Sequence, residues 1–282
     1  MPSMNIEGMR KIKEWSPDTD PKFAERKILA FDLDDTLTEE LKLNLNAVAQ
    51  LEKAQEHGLK TVLVTGRPFG WADALVRLLP FSAAVAENGA LIFNKNIGSN
   101  QKLDCWYWTR DRSYTKGALP QSQFEELHTL RKEVLEHFPG VQIAADQASR
   151  LYDVAFDFAE GVEPKMSLQE AQEIAQFCEQ KGFTAKVSNI HVNVWRGMFS
   201  KREALQFLVQ KLWNANLESD VVYVGDSPND APLFAAVDVS VGVSNIQNFI
   251  DAGLDFPLPN FVTGASCGEG AREVIEQRLR FL

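Results

Sequence analysis

The chain has 282 residues, 45% hydrophobic and 24% charged, the balance of an ordinary globular protein with one large domain or two modest ones. Its 39 acidic residues outnumber 29 basic ones for a formal charge of −10, which argues against nucleic acid or an anionic membrane as the main partner but leaves room for a small phosphorylated ligand in one pocket. Without an apolar run of the roughly 18 residues a membrane span needs, without a secretory leader pattern, and with three widely spaced cysteines (Cys105, Cys178, Cys267), the expected address is cytoplasmic and the expected state a monomer or homodimer.

Residues 1–26 are polar, carry Pro17 and Pro21, and read as a tail or loose helical extension. Lys27–Leu33 is a short aliphatic run, the mark of a buried parallel strand. Ala47, Val48, Leu51 and Ala54 then recur on one face of a helix over Leu45–His57, stopped by Gly58. A strand at Lys60–Thr65, a helix around Trp71–Leu79 and a strand at Ala83–Ala86 complete a βαβ rhythm.

After Gly89 the pattern changes. Leu91–Phe93 and Trp106–Thr109 flank a polar stretch, and a helix over Gln121–His137 ends at Pro139-Gly140. Tyr152, Val154, Phe156 and Phe158 alternate with Asp153, Ala155 and Asp157, a strand with one polar face. A helix over Ser167–Gln180 precedes strands Thr184–Ser188 and His191–Trp195, joined by Asn189-Ile190. These elements predict an α+β module with an exposed sheet face, in which Trp106, Tyr107 and Trp108 build the core. The first style then returns: helix Lys201–Trp213, strand Val221–Gly225, helix Asp230–Ala236, strand Val237–Val241 and a last helix over Gly268–Leu282. The organisation expected is an α/β domain of residues 1–89 plus 197–282, with an α+β unit of residues 90–196 inserted.

Two segments carry chemistry. Asp32-Leu33-Asp34-Asp35-Thr36 and Gly225-Asp226-Ser227-Pro228-Asn229-Asp230 each follow an apolar strand directly. In open α/β sheets ligands sit outside the carboxyl ends of the strands, so these carboxylates are expected to converge there. Either segment alone also makes good capping or turn chemistry. Together they would repel one another unless a hard cation such as Mg²⁺ sat among them, and that ion keeps waters for a phosphate.

At this point the sequence resembles the haloacid-dehalogenase-like superfamily. DLDDT (32–36) is similar to its first motif, VTGR (64–67) to its second, Lys201 to its third and GDSPND (225–230) to its fourth. AENGA (86–90), just before the insertion, resembles the subgroup with a large cap, which includes Cof-type phosphatases, sucrose-phosphate phosphatase, mannosyl-3-phosphoglycerate phosphatase and phosphomannomutase. The resemblance implies a Rossmann-like parallel-sheet core with an inserted α+β cap, and a Mg²⁺-dependent phosphomonoesterase acting through an aspartyl-phosphate on a small metabolite, a sugar phosphate first. It implies Asp32 as nucleophile, Asp34 as general acid/base, Lys201 as the neutralising cation, and Asp32, Asp34 (through its carbonyl), Asp226 and Asp230 around the metal. Thr65, Gly66 and Asn229 are the implied phosphate contacts.

Arg67 and Asn88 are further candidates for steering the substrate, each weighed against ion-pair and turn roles. His191 and Asn193, on one strand face, and Arg150, before another, are candidates for reading sugar hydroxyls, weighed against surface decoration. Two other outcomes of the same pattern are a phosphomannomutase-like transfer to a second hydroxyl and a phospho-acceptor module without turnover.

Overall fold

The computed structural model describes Ile6 and residues 9–95, 102–109, 111–118 and 125–282. Its main sheet has ten strands in the order Arg10–Lys11, Phe261–Val262, Val239–Gly242, Val221–Gly225, Ile28–Phe31, Lys60–Val64, Ala83–Ala86, Leu91–Lys95, Leu103–Trp108 and Tyr114–Lys116. The first seven run parallel and the last three antiparallel. The central strands are apolar on both faces because both faces are covered. Leu29, Phe31, Val222 and Val224 join one buried cluster; Ile28, Ala30, Val221 and Tyr223 join the other. This is the expected α/β core.

A second, four-stranded antiparallel sheet has the order Gln142–Ile143, Asp153–Asp157, His191–Trp195 and Thr184–Val187. Helices Glu125–His137 and Leu168–Gln180 cover one face, where Val154, Phe156, Val192 and Val194 meet Leu130, Val134 and Ile174. The alternation predicted for the central strands therefore holds. Residues 121–124, the expected start of the first of these helices, lie outside the described residues.

Three expectations need correction. The boundary at residue 89 is misplaced, because Leu91–Lys95, Leu103–Trp108 and Tyr114–Lys116 pair onto the main sheet. Trp106, Tyr107 and Trp108 accordingly pack on the core clusters and not inside the inserted unit; Trp106 lies 5.4 Å from the Phe207 ring. A turn with two antiparallel strands is as compatible with a sheet edge as with a separate unit, so periodicity could not choose.

Residues 9–26 are also no loose tail. Arg10–Lys11 forms the outermost strand, Trp15 is wholly buried against Phe23 at 4.4 Å, and the Trp15 indole and the Arg26 guanidinium both donate to Asp20. Finally, the polar face of the second sheet is not exposed: Asp153, Asp157, His191 and Asn193 are all buried.

Candidate active site

Asp32 and Asp226 follow neighbouring parallel strands whose register pairs Phe31 with Val224, and Asp32 N donates to Val224 O at 2.9 Å. Two carboxylates thereby leave the sheet side by side. Lys201 is brought to them by the helix Lys201–Phe207, whose N-cap Ser200 accepts from Glu203 N. Gly89 (φ +110°) makes this approach possible, because a Cβ there would overlap the Ser200 carbonyl. The Asn88-Gly89 pair is thus a steric requirement of the site and not only a turn.

Lys201 Nζ donates to Asp32 Oδ1 at 2.6 Å and to Asp230 Oδ1 at 2.9 Å. Asp230 also accepts from the Tyr223 hydroxyl at 2.7 Å and from Asp226 N at 3.1 Å, folding back under its own loop. Asp32, Asp226 and Asp230 each offer an oxygen within 4.8 Å of the others, and all three are buried. Burial pushes Asp32 up to about 7, with Asp230 and Asp34 adding to the push and Lys201 resisting it. Burial, then Asp32 and Asp230, raise Asp226 well above the ordinary carboxylate range. Lys201 is itself driven up, as its two carboxylates outweigh its burial. One ammonium does not balance three buried carboxylates. The cluster offers only oxygen donors and lacks positive charge, which fits a hard divalent cation such as Mg²⁺.

Asp34 points the other way, into a network of arginines. Arg67 Nε lies 3.0 Å from both Asp34 oxygens; its Nη2 reaches Glu160 at 2.7 Å and its Nη1 Asp146 at 3.3 Å. Arg150 holds Asp146 and Asp153 at 2.9 Å each, and donates to the Gly66 carbonyl at 2.9 Å. His191 Nε2 lies 3.0 Å from Glu160, and Asn193 donates to Asp153 at 2.9 Å. Burial alone would raise Glu160, but contact with His191 and Arg67 holds it down at about 2. Asp34 is thus an arginine partner by its side chain; the three carboxylates gathered for a cation are those of Asp32, Asp226 and Asp230.

A cavity of about 20 Å³ lies between the two groups, lined in part by Asp32, Asp34, Arg67, Asn189, Lys201 and Asp226. Gly66, His191, Asn193 and Asn229 also border it. Larger clefts adjoin it, one of about 270 Å³ beside Lys201 and Asn229 and one of about 300 Å³ beside Asn189 and Asp226. The predicted residues outside this wall have other neighbours. Thr65 is fully buried and its hydroxyl accepts Arg67 N at 2.9 Å. Asn88 donates to Asp153 and accepts from Asn229, both at 3.4 Å. Arg150 sits behind Gly66.

Sequence reasoning missed Asn189, Glu160 and Asp146. Asn189, read only as a turn residue, reaches across from the second sheet and donates to Asp35 at 2.8 Å and to Asp226 at 2.7 Å. Nothing local distinguishes these side chains from ordinary loop polar groups.

Comparison with known proteins gives the family and the fold. The family model for sucrose-6F-phosphate phosphohydrolase matches residues 25–254. A phosphoglycolate phosphatase of Methanobrevibacter smithii is 27% identical over 256 residues, covering 88% of this chain and 97% of that protein. One of Methanothermobacter thermautotrophicus is 26% identical over 260 residues, covering 89% and 98%. Among solved structures, a Thermoplasma acidophilum protein superposes with a TM-score of 0.66 at 19% identity, covering 90% of this chain and 98% of its own. The sucrose-phosphatase of Synechocystis, solved with sucrose and phosphate, gives 0.61 at 17% identity, covering 90% and 98%. Four motifs meeting at adjacent strand ends, and a match that spans most of the chain, make this protein a haloacid-dehalogenase-like phosphatase belonging to the sucrose-6F-phosphate phosphohydrolase family.

Proposed function

We propose that the protein is a Mg²⁺-dependent phosphomonoesterase that works through an aspartyl-phosphate on Asp32 and acts on a small phosphorylated metabolite, a sugar phosphate first. The observation that carries this reading is the Lys201 ammonium at 2.6 Å from Asp32, beside Asp226 and Asp230 at one strand-end mouth.

In this reading an Asp32 oxygen attacks phosphorus, the P–O bond to the leaving group breaks, and Asp34 gives its proton to the departing alkoxide. Water then attacks the same phosphorus, Asp34 takes its proton, and the bond to Asp32 breaks to release inorganic phosphate. Lys201 neutralises Asp32 and the incoming phosphoryl oxygens, with Thr65, the Gly66 amide and Asn229 as further donors. A divalent cation held by Asp32, Asp226 and the Asp34 carbonyl would supply Lewis-acid shielding between two anions; Asp230, already bound by Lys201 and Tyr223, orients this shell. Arg67 places the Asp34 carboxyl, and the second sheet acts as a cap that keeps bulk water away.

The test is phosphate release from a panel of sugar phosphates, with phosphoglycolate and sucrose phosphate included because the relatives carry those names. Release that needs Mg²⁺ and disappears in Asp32→Asn supports the reading. Undiminished release by Asp32→Asn or without metal overturns it, and isomerised sugar phosphate in place of inorganic phosphate would make the enzyme a mutase.

A further inference from the structure

Besides the arginine network that joins Arg67 to Glu160 and Asp146, the cap touches the core in two further ways. Near the chain crossings the contacts are to backbone: Glu87 accepts from Leu151 N at 2.9 Å and also from Tyr152 N, while the Tyr152 hydroxyl donates to the Trp108 carbonyl at 2.8 Å. At the tip of the hairpin between Thr184–Val187 and His191–Trp195, contact is made by one carboxamide. Asn189 Nδ2 donates to Asp35 Oδ2 at 2.8 Å and to Asp226 Oδ2 at 2.7 Å. In this arrangement the amide nitrogen faces both carboxyl groups. Its Oδ1 is then buried, with no hydrogen-bond partner among the described residues. A buried acceptor without a donor is costly, and this one belongs to a residue that borders the cavity beside Asp32 and Asp226.

We propose that Asn189 is a positioning residue that couples closure of the cap to occupation of the metal site. The amide nitrogen latches the closed hairpin to Asp35 and Asp226, and the unmatched Oδ1 supplies an acceptor to the hydration shell of a divalent cation held among the carboxylates. The inference rests on the metal reading given above. By linkage, the cation binds more tightly to the closed cap and favours closing it by the same factor.

The experiment measures Mg²⁺ affinity by calorimetry and cap closure by small-angle X-ray scattering on the full chain, for wild type, Asn189→Ala and Asn189→Asp. Thermal unfolding checks that both variants fold. Wild type is expected to become more compact with Mg²⁺. Asn189→Ala should bind Mg²⁺ about tenfold more weakly or worse and stay expanded with or without it. Asn189→Asp sets a third carboxylate against Asp35 and Asp226, so it should be expanded without Mg²⁺ and compact with it. Wild-type affinity in Asn189→Ala, or wild-type compaction in both variants under both conditions, overturns the coupling alone. A wild-type protein that takes up no Mg²⁺ overturns both the coupling and the metal reading.

Discussion

The strand ends of the main sheet and the inner face of the cap sheet both bury several carboxylates, yet they compensate them differently. At the strand ends Asp32, Asp226 and Asp230 share one lysine, and the deficit of positive charge makes room for a cation. On the cap side Asp34, Asp146, Asp153 and Glu160 are threaded by two guanidiniums, Arg67 and Arg150, with fork geometry that serves several oxygens at once. The first group is left short of positive charge. The second is already paired, so it ties Asp34 to the second sheet. A lysine serves where charge must be added, and arginines where planar bridges between two domains are needed.

The sharpest way to break this contrast is to neutralise the strand-end group at its centre. Asp32→Asn should lower phosphate release by about four orders of magnitude or more in a steady-state assay, while the unfolding temperature stays level or rises, because one of three crowded buried carboxylates is neutralised and Lys201 keeps Asp230. A variant with substantial activity would remove Asp32 from the chemistry.

Lys201→Met takes away the ammonium that bridges Asp32 and Asp230. Leaving them unpaired should cost about 3–5 kcal/mol of unfolding free energy, measured by denaturant titration, and added Mg²⁺ should recover part of it by binding the native state. If Mg²⁺ leaves the variant's stability unchanged, the site does not recruit a cation.

Gly89→Ala tests whether the two groups depend on one close approach. The overlap is with the Ser200 backbone, which cannot swing aside, and φ at +110° disfavours any side chain. A loss of about 3 kcal/mol together with a fall in activity is expected, and an unchanged melting curve would show that the Lys201 helix has slack.

The smallest effect sharpens the cap side. Glu160 is held at about 2 in the folded protein against an ordinary value near 4.5, so its contribution is fully present above pH 4.5 and is lost as pH falls towards 2. Glu160→Gln should therefore cost about 2 kcal/mol at neutral pH, and the difference from wild type should shrink on acidification. A pH-independent difference would mean that charge is not what Glu160 contributes.

The core was legible in the sequence because its determinants are local. Asp32, Asp34, Thr65, Gly66, Lys201, Asp226 and Asp230 stand at the ends of strands or the start of a helix, within short segments whose neighbours announce them. The period-two pattern of Asp153–Asp157 and His191–Trp195 was equally readable, and it correctly separated the apolar from the polar face. It could not say what the polar face meets. Water and a second domain are both tolerant of polar side chains, so His191, Asn193 and Arg150 read as candidates without a partner. Asn189 read only as a turn residue, and Glu160, in a loop of ordinary turn composition, did not register at all.

The sequence by itself determined the α/β core, the order of its motifs and the convergence of carboxylates, since burial on both faces of a parallel strand and the chemistry at its end are written in consecutive residues. Only the tertiary structure decided that residues 91–116 extend the main sheet, that Trp15 and its neighbours anchor the start of the chain, and that the cap hairpin reaches Asp35 and Asp226. Those outcomes depend on pairings between segments up to some 250 residues apart, and no local pattern of hydrophobicity or charge specifies which of several compatible surfaces will meet.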